Sequence, residues 1–136
     1  MVAYSFQKRF IEPILAGLGE GVEAYPKTQT IRNVGRRRHA RVGEVVQLYT
    51  GMRTRQCRKL GVARCRAVLP VRLYLGPSSL GVDLDGRYFC GETETQEFAR
   101  SDGFANVEEM LRFWLVAHPG VREFGGFLIQ WERIGA

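Results

Sequence analysis

The stretch from Gly61 to Leu75 constrains the fold of this chain more than any other segment. It shows no helical period and is rich in valine, leucine, arginine and tyrosine. We interpret it as one long strand or two, with Pro70 at a bulge or an edge, because proline cannot donate to a central ladder. Residue type and periodicity predict strands in four further places: Thr28–Arg32, Val45–Thr50, Arg87–Cys90 and Phe124–Ile134.

Helices are predicted on both sides of the central strands. The segment 5–17 predicts a short helix. If this helix begins near Phe10, Pro13 falls in the first turn, where proline is tolerated. A second helix follows Asn106, which caps it with Glu109 as a capping-box partner. This helix carries an apolar stripe that faces the core: Val107, Met110, Leu111, Trp114 and Leu115. The remaining segments are a helical turn or two at 95–101 and glycine-rich loops at 18–26 and 76–86.

The order of these elements is helix, several strands, one or two helices and a last strand. Because regular crossover helices do not separate the strands, a doubly wound parallel sheet is disfavoured. The pattern predicts an α+β fold, a small mixed, mainly antiparallel β-barrel with helices at one end. A length of 136 residues predicts a single domain over 1–136.

The charge balance favours a polyanionic partner. The formal net charge is +6, and only Lys8, Lys27 and Lys59 among the 20 basic residues are lysines. The planar fork of arginine matches phosphate, although an arginine-rich composition also follows from a GC-rich genome. No apolar run approaches the ~20 residues of a membrane span, and the N-terminus has no signal-peptide core. We therefore expect a cytoplasmic protein with no membrane partner.

The cysteines and histidines do not form a metal motif. Cys57, Cys65 and Cys90 contain no CxxC pair, and His39 and His118 are the only histidines. A structural zinc site needs four closely paired ligands, so neither a metal nor another cofactor is predicted. Cys57 and Cys65 either face each other across a hairpin or are small buried hydrophobes.

The strand that follows Pro26 is the first candidate site. Residues two apart on a strand share a face, so Thr30 and Arg32 point the same way, and Lys27 precedes the regular strand and can turn toward them. An amine, a hydroxyl and a guanidinium in one pocket would bind an anion or activate a nucleophile. A solvated edge strand with threonines chosen for β-propensity gives the same pattern.

Two basic loops flank the strand Val45–Thr50. The first loop holds Arg36, Arg37, Arg38 and Arg41, and the second holds Arg53, Arg55, Arg58 and Lys59, with Tyr49 as a neighbour for stacking. A strand of this length spans about 20 Å, so the loops can border one groove that follows a phosphate backbone. Alternatively, both are solvated loops.

These segments together resemble the ASCH family, the activating-signal-cointegrator homology domains. A helix ending in a small-residue turn, at Arg9–Gly17, leads into a Lys-x-x-Thr-x-Arg strand at Lys27–Arg32. The segment Val42–Gly51 is similar to the family's next strand and its Val-Gly-Asp/Glu turn. Ser101–Phe104, a helix and a final aromatic strand are similar to its C-terminal half. The resemblance covers nearly the whole chain.

The resemblance implies a PUA-like fold that binds RNA or nucleosides. Small bacterial members of the family are amidohydrolases that remove the acetyl group of N4-acetylcytidine with a Lys, a Thr and a Glu, and others have been proposed as ribonucleases. Carried over, the Lys is Lys27 and the Thr is Thr30. The closest match to the acid is Asp102, one methylene shorter than the family's Glu. The added loops at 18–26, 33–41 and 51–60 indicate a ligand larger than a free nucleoside.

The leading hypothesis is a module that binds RNA, single-stranded nucleic acid or a modified nucleotide. Its pocket is lined by Lys27, Thr30, Arg32 and Asp102 and roofed by residues 18–26. One alternative is an amidohydrolase or ribonuclease that uses the same pocket. The other is a small protein-interaction module whose basic face docks on acidic partners.

Overall fold

One long central strand organises a mixed sheet in this protein. A computed structural model describes residues 2–20, 25–35 and 37–135 of the chain. The described residues form seven strands: β1 Val2–Phe6, β2 Gln29–Arg32, β3 Val45–Thr50, β4 Arg58–Leu75, β5 Leu80–Leu84, β6 Arg87–Phe89 and β7 Glu123–Arg133. They also form a 3-10 turn at Lys8–Phe10 and three α-helices: α1 Ile11–Gly17, α2 Glu92–Ser101 and α3 Val107–Ala117.

The strand β4 connects both halves of the sheet. One of its edges pairs antiparallel with β3 near its start and with β5 near its end, and β7 pairs along most of its length. Pro70 lies between the segments that pair with β3 and with β5, so its missing N–H removes no ladder bond on that side. The bulges instead lie at Cys65/Ala67 and Leu48/Tyr49.

The two outer strands leave the sheet open. β1 pairs in parallel with β3, and β2 pairs antiparallel with β7, but among the described strands no ladder joins β1 to β2. The side chain of Arg32 lies in this gap, where Nη2 donates to the carbonyl oxygen of Ser5 at 2.9 Å. The predicted α+β class and the mixed, mainly antiparallel sheet are confirmed, whereas the sheet does not close into a barrel.

The N-terminal segment differs from the prediction. The helix predicted over 5–17 begins at Ile11, after the 3-10 turn at Lys8–Phe10. Ser5 and Phe6 belong instead to β1, which forms by pairing with β3, a strand distant in the sequence. Pro13 is the third residue of α1 and therefore lies in its first turn, as expected. The loop predicted at 76–86 is also wrong, because Leu80–Leu84 forms β5.

Several other elements match their predictions closely. β3 covers Val45–Thr50 as predicted, and β4 extends the predicted strand back to Arg58. Asn106 caps α3, since its Oδ1 accepts from the N–H of Glu109 at 2.8 Å. The side chain of Glu109 contacts Arg9 instead of returning to the cap.

The core lies between the sheet and the helices. Met110, Leu111 and Trp114 of the α3 stripe are buried, and Val107 and Leu115 pack beside them half-buried. Phe10 and Phe104 meet edge to face, which brings the 3-10 turn against the end of α2. None of the described helices combines the length and the apolar character that crossing a bilayer requires.

Candidate functional site

Lys27 is held at the junction of α1 and α2. Its N–H donates to the carbonyl oxygen of Pro13 at 2.9 Å, and the next N–H, of Thr28, donates to Ser101 at 2.8 Å. Only 2% of Lys27 is exposed. Gly103, at φ 94°, has no side chain, and a Cβ there would lie 3.1 Å from the Lys27 stem. The local backbone thus fixes a buried ammonium group in one place.

Asp102 is the partner of this lysine. Lys27 Nζ donates to the backbone carbonyl of Asp102 at 2.7 Å and lies 3.5 Å from its carboxylate Oδ1. Asp102 is the C-cap residue that follows α2, and it is 4% exposed. Oδ1 accepts no well-formed hydrogen bond among the described residues. The carboxylate is therefore held by the charge of Lys27, without a well-formed hydrogen bond to Oδ1 among the described residues.

Burial sets the ionisation of this pair. Burial lowers the pKa of Lys27 from 10.5 to about 8, with Asp102 opposing the change and Arg32 adding to it. Burial also raises the pKa of Asp102, while Lys27, Gln29 and Arg32 oppose that change. Each group favours the ionised form of the other, whereas burial favours the neutral form of each. A ligand that enters the cavity would therefore shift the protonation equilibrium of the pair.

Thr30 and Arg32 share the face of β2 that period two predicts. Arg32 Nε donates to Thr30 Oγ1 at 3.1 Å. The guanidinium carbon lies 4.8 Å from the ring centre of Phe6 and 5.3 Å from that of Tyr4. Burial lowers the pKa of Arg32. This cation is therefore fixed in orientation by two hydrogen bonds and two aromatic faces.

These four side chains line one cavity of about 350 Å³. The rest of its wall includes Phe6, Phe10, Phe113, Trp114, Ala117 and His118. Lys27 and Asp102 touch each other and Arg32 touches Thr30, but no hydrogen bond within the described part of the chain joins Thr30 to Lys27 or Asp102. The structure thus gathers the predicted residues into two contacting pairs in one cavity.

The wall of the cavity differs from the predicted roof. Residues 21–24 of the roof segment lie outside the described residues, and 18–20 and 25–26 do not line the cavity. Helix α3 also lines it, through Phe113, Trp114 and Ala117. The apolar stripe predicted a core role for Trp114, which is buried, but its spacing gave no signal that the same helix faces a cavity. The Trp114 Nε1 donor is buried without a hydrogen-bond partner among the described residues.

A larger cleft of about 900 Å³ lies beside the cavity. Arg37, Arg38 and Arg53 line it, so the two predicted basic loops do converge on one groove, and Arg36 lies outside the described residues. Arg38 is engaged with Glu44 through both guanidinium nitrogens, at 2.9 and 2.6 Å. Arg37 and Arg53 form no ion pair with any described residue.

Five of the predicted nucleic-acid contacts do not line the cleft. They are Arg41, Tyr49, Arg55, Arg58 and Lys59. The hydroxyl of Tyr49 donates to Gln47 Oε1 at 2.9 Å, and its ring is half-buried. The basic side chains are exposed. Part of each basic loop therefore lines the cleft, namely Arg37 and Arg38 of the first loop and Arg53 of the second.

Two residues of the cleft had no sequence signal. Tyr4 Oη accepts from the N–H of Ala40 at 3.1 Å and lies 3.2 Å from His39 Nδ1, and the two rings stack at 6.1 Å. His39 Nε2 lies 2.8 Å from the carbonyl of Asn33. Tyr4 belongs to β1, the strand that the sequence pattern missed, so its placement was not predictable.

The cysteines line neither the cavity nor the cleft. Cys57 is exposed and Cys65 is buried, where its thiol lies 3.8 Å from the carbonyl of Ala67. No three His, Cys, Asp or Glu side chains of the described ranges gather as metal ligands.

Comparisons with family models, curated proteins and solved structures find no match for the chain. The resemblance to the ASCH family therefore stands on its motifs alone.

Proposed function

We propose that this chain is an ASCH-like module of PUA-like type that binds RNA through a base or a modified nucleoside in the 350 Å³ cavity. One observation carries this proposal: Arg32 lines both the cavity and the basic cleft. A ligand whose neutral, planar part occupies the cavity would thus meet arginines where its phosphates leave it. This is the arrangement of a nucleotide, in which a flat heterocycle is joined to an anion.

The cavity has the size and lining for a nucleobase. Ligand sites of about 300 Å³ and above hold small molecules, with apolar walls and a few polar groups for orientation. Here Phe6, Phe10 and Phe113 supply aromatic walls, and Thr30 and Asp102 supply polar atoms beside them. The Asp102 carboxylate, which is paired with Lys27 at 3.5 Å but accepts no well-formed hydrogen bond at Oδ1 among the described residues, suits an exocyclic amine or amide N–H of a base as a further partner.

Binding measurements with matched variants test this proposal. Cytidine, N4-acetylcytidine and a single-stranded RNA are titrated into the protein by calorimetry or fluorescence anisotropy. We expect Arg32→Gln and Asp102→Asn to weaken binding of the nucleosides at least about tenfold, since each removes a buried charged partner worth ~1.5–3 kcal/mol. Arg55→Gln, an exposed change outside both sites, is the control.

The result that overturns the proposal is equally direct. Failure of the wild type to bind any nucleoside or RNA at low salt would leave the basic face as a dock for acidic proteins. Equal weakening by Arg55→Gln and Arg32→Gln would show that only diffuse charge attracts the RNA.

An amidohydrolase is the second candidate, favoured by the lowered pKa of Lys27. At a pKa of about 8, roughly a tenth of Lys27 is neutral at pH 7 and can act as a base. This reaction requires Thr30 Oγ1, which accepts from Arg32, to come within hydrogen-bond reach of Lys27 when the substrate binds. The Thr30 hydroxyl then loses its proton to Lys27 and attacks the N4-acetyl carbonyl. The C–N bond breaks as the proton passes to the leaving cytosine amine. Water then hydrolyses the acetyl ester and releases acetate and free Thr30.

Acetate release from N4-acetylcytidine tests the amidohydrolase. If Lys27 and Thr30 act as one unit, Lys27→Ala, Thr30→Ala and the double variant lose turnover to the same extent, and Thr30→Ser retains part of it. Asp102→Glu, which restores the family's side chain, should preserve the rate and Asp102→Asn should lower it. Full activity of Asp102→Asn would remove Asp102 from the mechanism, and no activity of the wild type would leave a binding site only. RNA cleavage in the same samples tests the ribonuclease alternative.

A further inference from the structure

The cavity shares wall residues with two further depressions. On one side it shares Arg32 with the basic cleft. On the other it shares Gln7, Phe113 and Ala117 with a third depression of about 320 Å³. Shared wall residues mean that the three depressions adjoin one another in a row. The cavity is the middle one.

The third depression combines a cation with an aromatic face. Phe113 is half-buried, and Arg112 is exposed and forms no ion pair with any described residue. Arg9 also lines this depression, but Glu109 engages it, and it lies 5.0 Å from the ring centre of Phe104 and 5.4 Å from that of Phe113. Arg112 therefore remains available to an outside anion, and the half-buried ring of Phe113 lies beside it in the wall of the depression.

The cleft on the opposite side has a related character with more charge. Arg37 and Arg53 form no ion pair among the described residues, and none of the described residues that line the cleft is acidic. Tyr4 and His39 contribute stacked rings to the same cleft. Arg53 is held at φ 67°, a left-handed conformation that is costly for arginine.

From this row we infer that the protein binds an internal nucleotide of a single strand, with one neighbour in the cleft and the other on Phe113 beside Arg112. This inference rests on the proposed function and adds to it that the ligand continues in both directions from the cavity. A free nucleoside would fill the middle position and leave both cationic flanks unused. A base paired in a duplex would have to leave its stack to enter the cavity, so a single strand is the favoured form.

Short oligonucleotides with one common base measure each flank separately. Cytidine, UpC, CpU and UpCpU, and the same set with N4-acetylcytidine, are titrated calorimetrically into the wild type. We expect each added neighbour to tighten binding about fivefold or more, as stacking of one base on an aromatic side chain does in other single-strand binders. UpCpU should bind most tightly of the four.

Variants assign the two flanks to their depressions. Arg112→Gln should remove the gain from one neighbour only, and Arg37→Gln combined with Arg53→Gln should remove the gain from the other only. Binding of cytidine alone should stay unchanged in all of these variants, because none of the changed residues lines the cavity. Arg55→Gln is again the matched control and should leave all four affinities as they are.

The outcomes separate this inference from the proposed function. If UpCpU binds no more tightly than cytidine, the flanking positions do not exist and the cavity remains a nucleoside site. If Arg112→Gln weakens cytidine and UpCpU equally, its depression is not a separate position. If nothing in the set binds, the proposed function itself fails, and this inference fails with it.

Discussion

At the scale of single residues, Lys27 makes the stability of the fold depend on pH. Its pKa is about 8 in the folded chain and near 10.5 when exposed, so between these values the unfolded chain binds more protons. The free energy of unfolding should therefore rise from pH 8 upward, by at most ~1.4 kcal/mol per pH unit. Urea denaturation at pH 8.0, 8.5, 9.0 and 9.5 would measure this rise.

The control for this pH effect removes both charges of the buried pair. In Lys27→Met combined with Asp102→Asn the rise should vanish, whereas exposed Lys8→Met should keep it. Burial raises the pKa of Tyr4 and of Cys65, which makes stability fall with pH through their titration, but both groups are present in every variant and cancel in the comparison. Parallel profiles for wild type and double variant would contradict the assignment.

Arg53 should limit the stability of the chain. Its φ of 67° is a left-handed conformation that costs L-residues roughly 1–2 kcal/mol, and glycine relieves this cost in part. We expect Arg53→Gly to raise the free energy of unfolding by up to about 1 kcal/mol, measured by denaturation, while it weakens RNA binding. Arg55→Gly, in the same loop, should change binding little and not stabilise. Loss of stability in Arg53→Gly would show that the arginine side chain supports its loop.

Local pattern predicted part of the site at this scale. Period two placed Thr30 and Arg32 on one face, and the resemblance to the ASCH family brought in Asp102, which the structure places against Lys27. The cavity-lining role of Trp114 and Phe113 was not predicted, because the helical stripe indicates which residues are buried but not which side of the helix borders a cavity. Arg53 and Arg55 are both exposed, and the sequence could not predict that Arg53 lines the cleft while Arg55 does not, since this depends on the position of β1.

At the scale of elements, Gly126 allows β2 to lie against β7. A Cβ at position 126 would collide with the backbone carbonyl of Arg32, which cannot move without shifting β2. We expect Gly126→Ala to destabilise the chain by ~1–3 kcal/mol in urea denaturation and to weaken nucleoside binding, because β2 carries Thr30.

The neighbouring glycine is the matched control. A Cβ at Gly125 meets only the guanidinium end of Arg72, at 3.1 Å, and this exposed side chain can turn away. Gly125→Ala should stay within about 0.5 kcal/mol of the wild type and keep its binding. Equal tolerance of both substitutions would mean that the β2–β7 contact is not rigid.

Strands with strong local signals were the predictable elements. β3 and β7 alternate clearly, and both were located within a residue or so. β1 and β5 were missed because each is short and follows or precedes residues typical of helices or turns, so that their partners β3 and β4 decide their conformation. Propensity cannot include a partner that is distant in sequence.

At the scale of the whole molecule, the α+β class followed from element order, but the opening of the sheet did not. Whether β1 and β2 pair depends on their separation in space, and the Arg32 side chain occupies that separation. The same opening gives the cavity and the cleft their common wall. A closed barrel would have hidden Arg32. The gap between β1 and β2, which the sequence did not predict, is therefore the feature that joins the cavity to the cleft.

The salt dependence of RNA binding is the property of the whole surface. A net charge of +6 attracts any polyanion, but phosphates bound in place release counterions and steepen the dependence of affinity on salt. For a single strand of about 20 nucleotides, log K should fall by ~0.7 per bound phosphate for each unit of log salt. Arg37→Gln with Arg53→Gln should therefore reduce this slope by about 1.4, measured by anisotropy between 50 and 200 mM salt. Arg55→Gln with Arg58→Gln removes the same formal charge from outside the cleft and should reduce it much less. Equal reductions in the two variants would mean that the strand is held by the net charge and follows no defined groove, because only a groove distinguishes arginines of equal charge by their position.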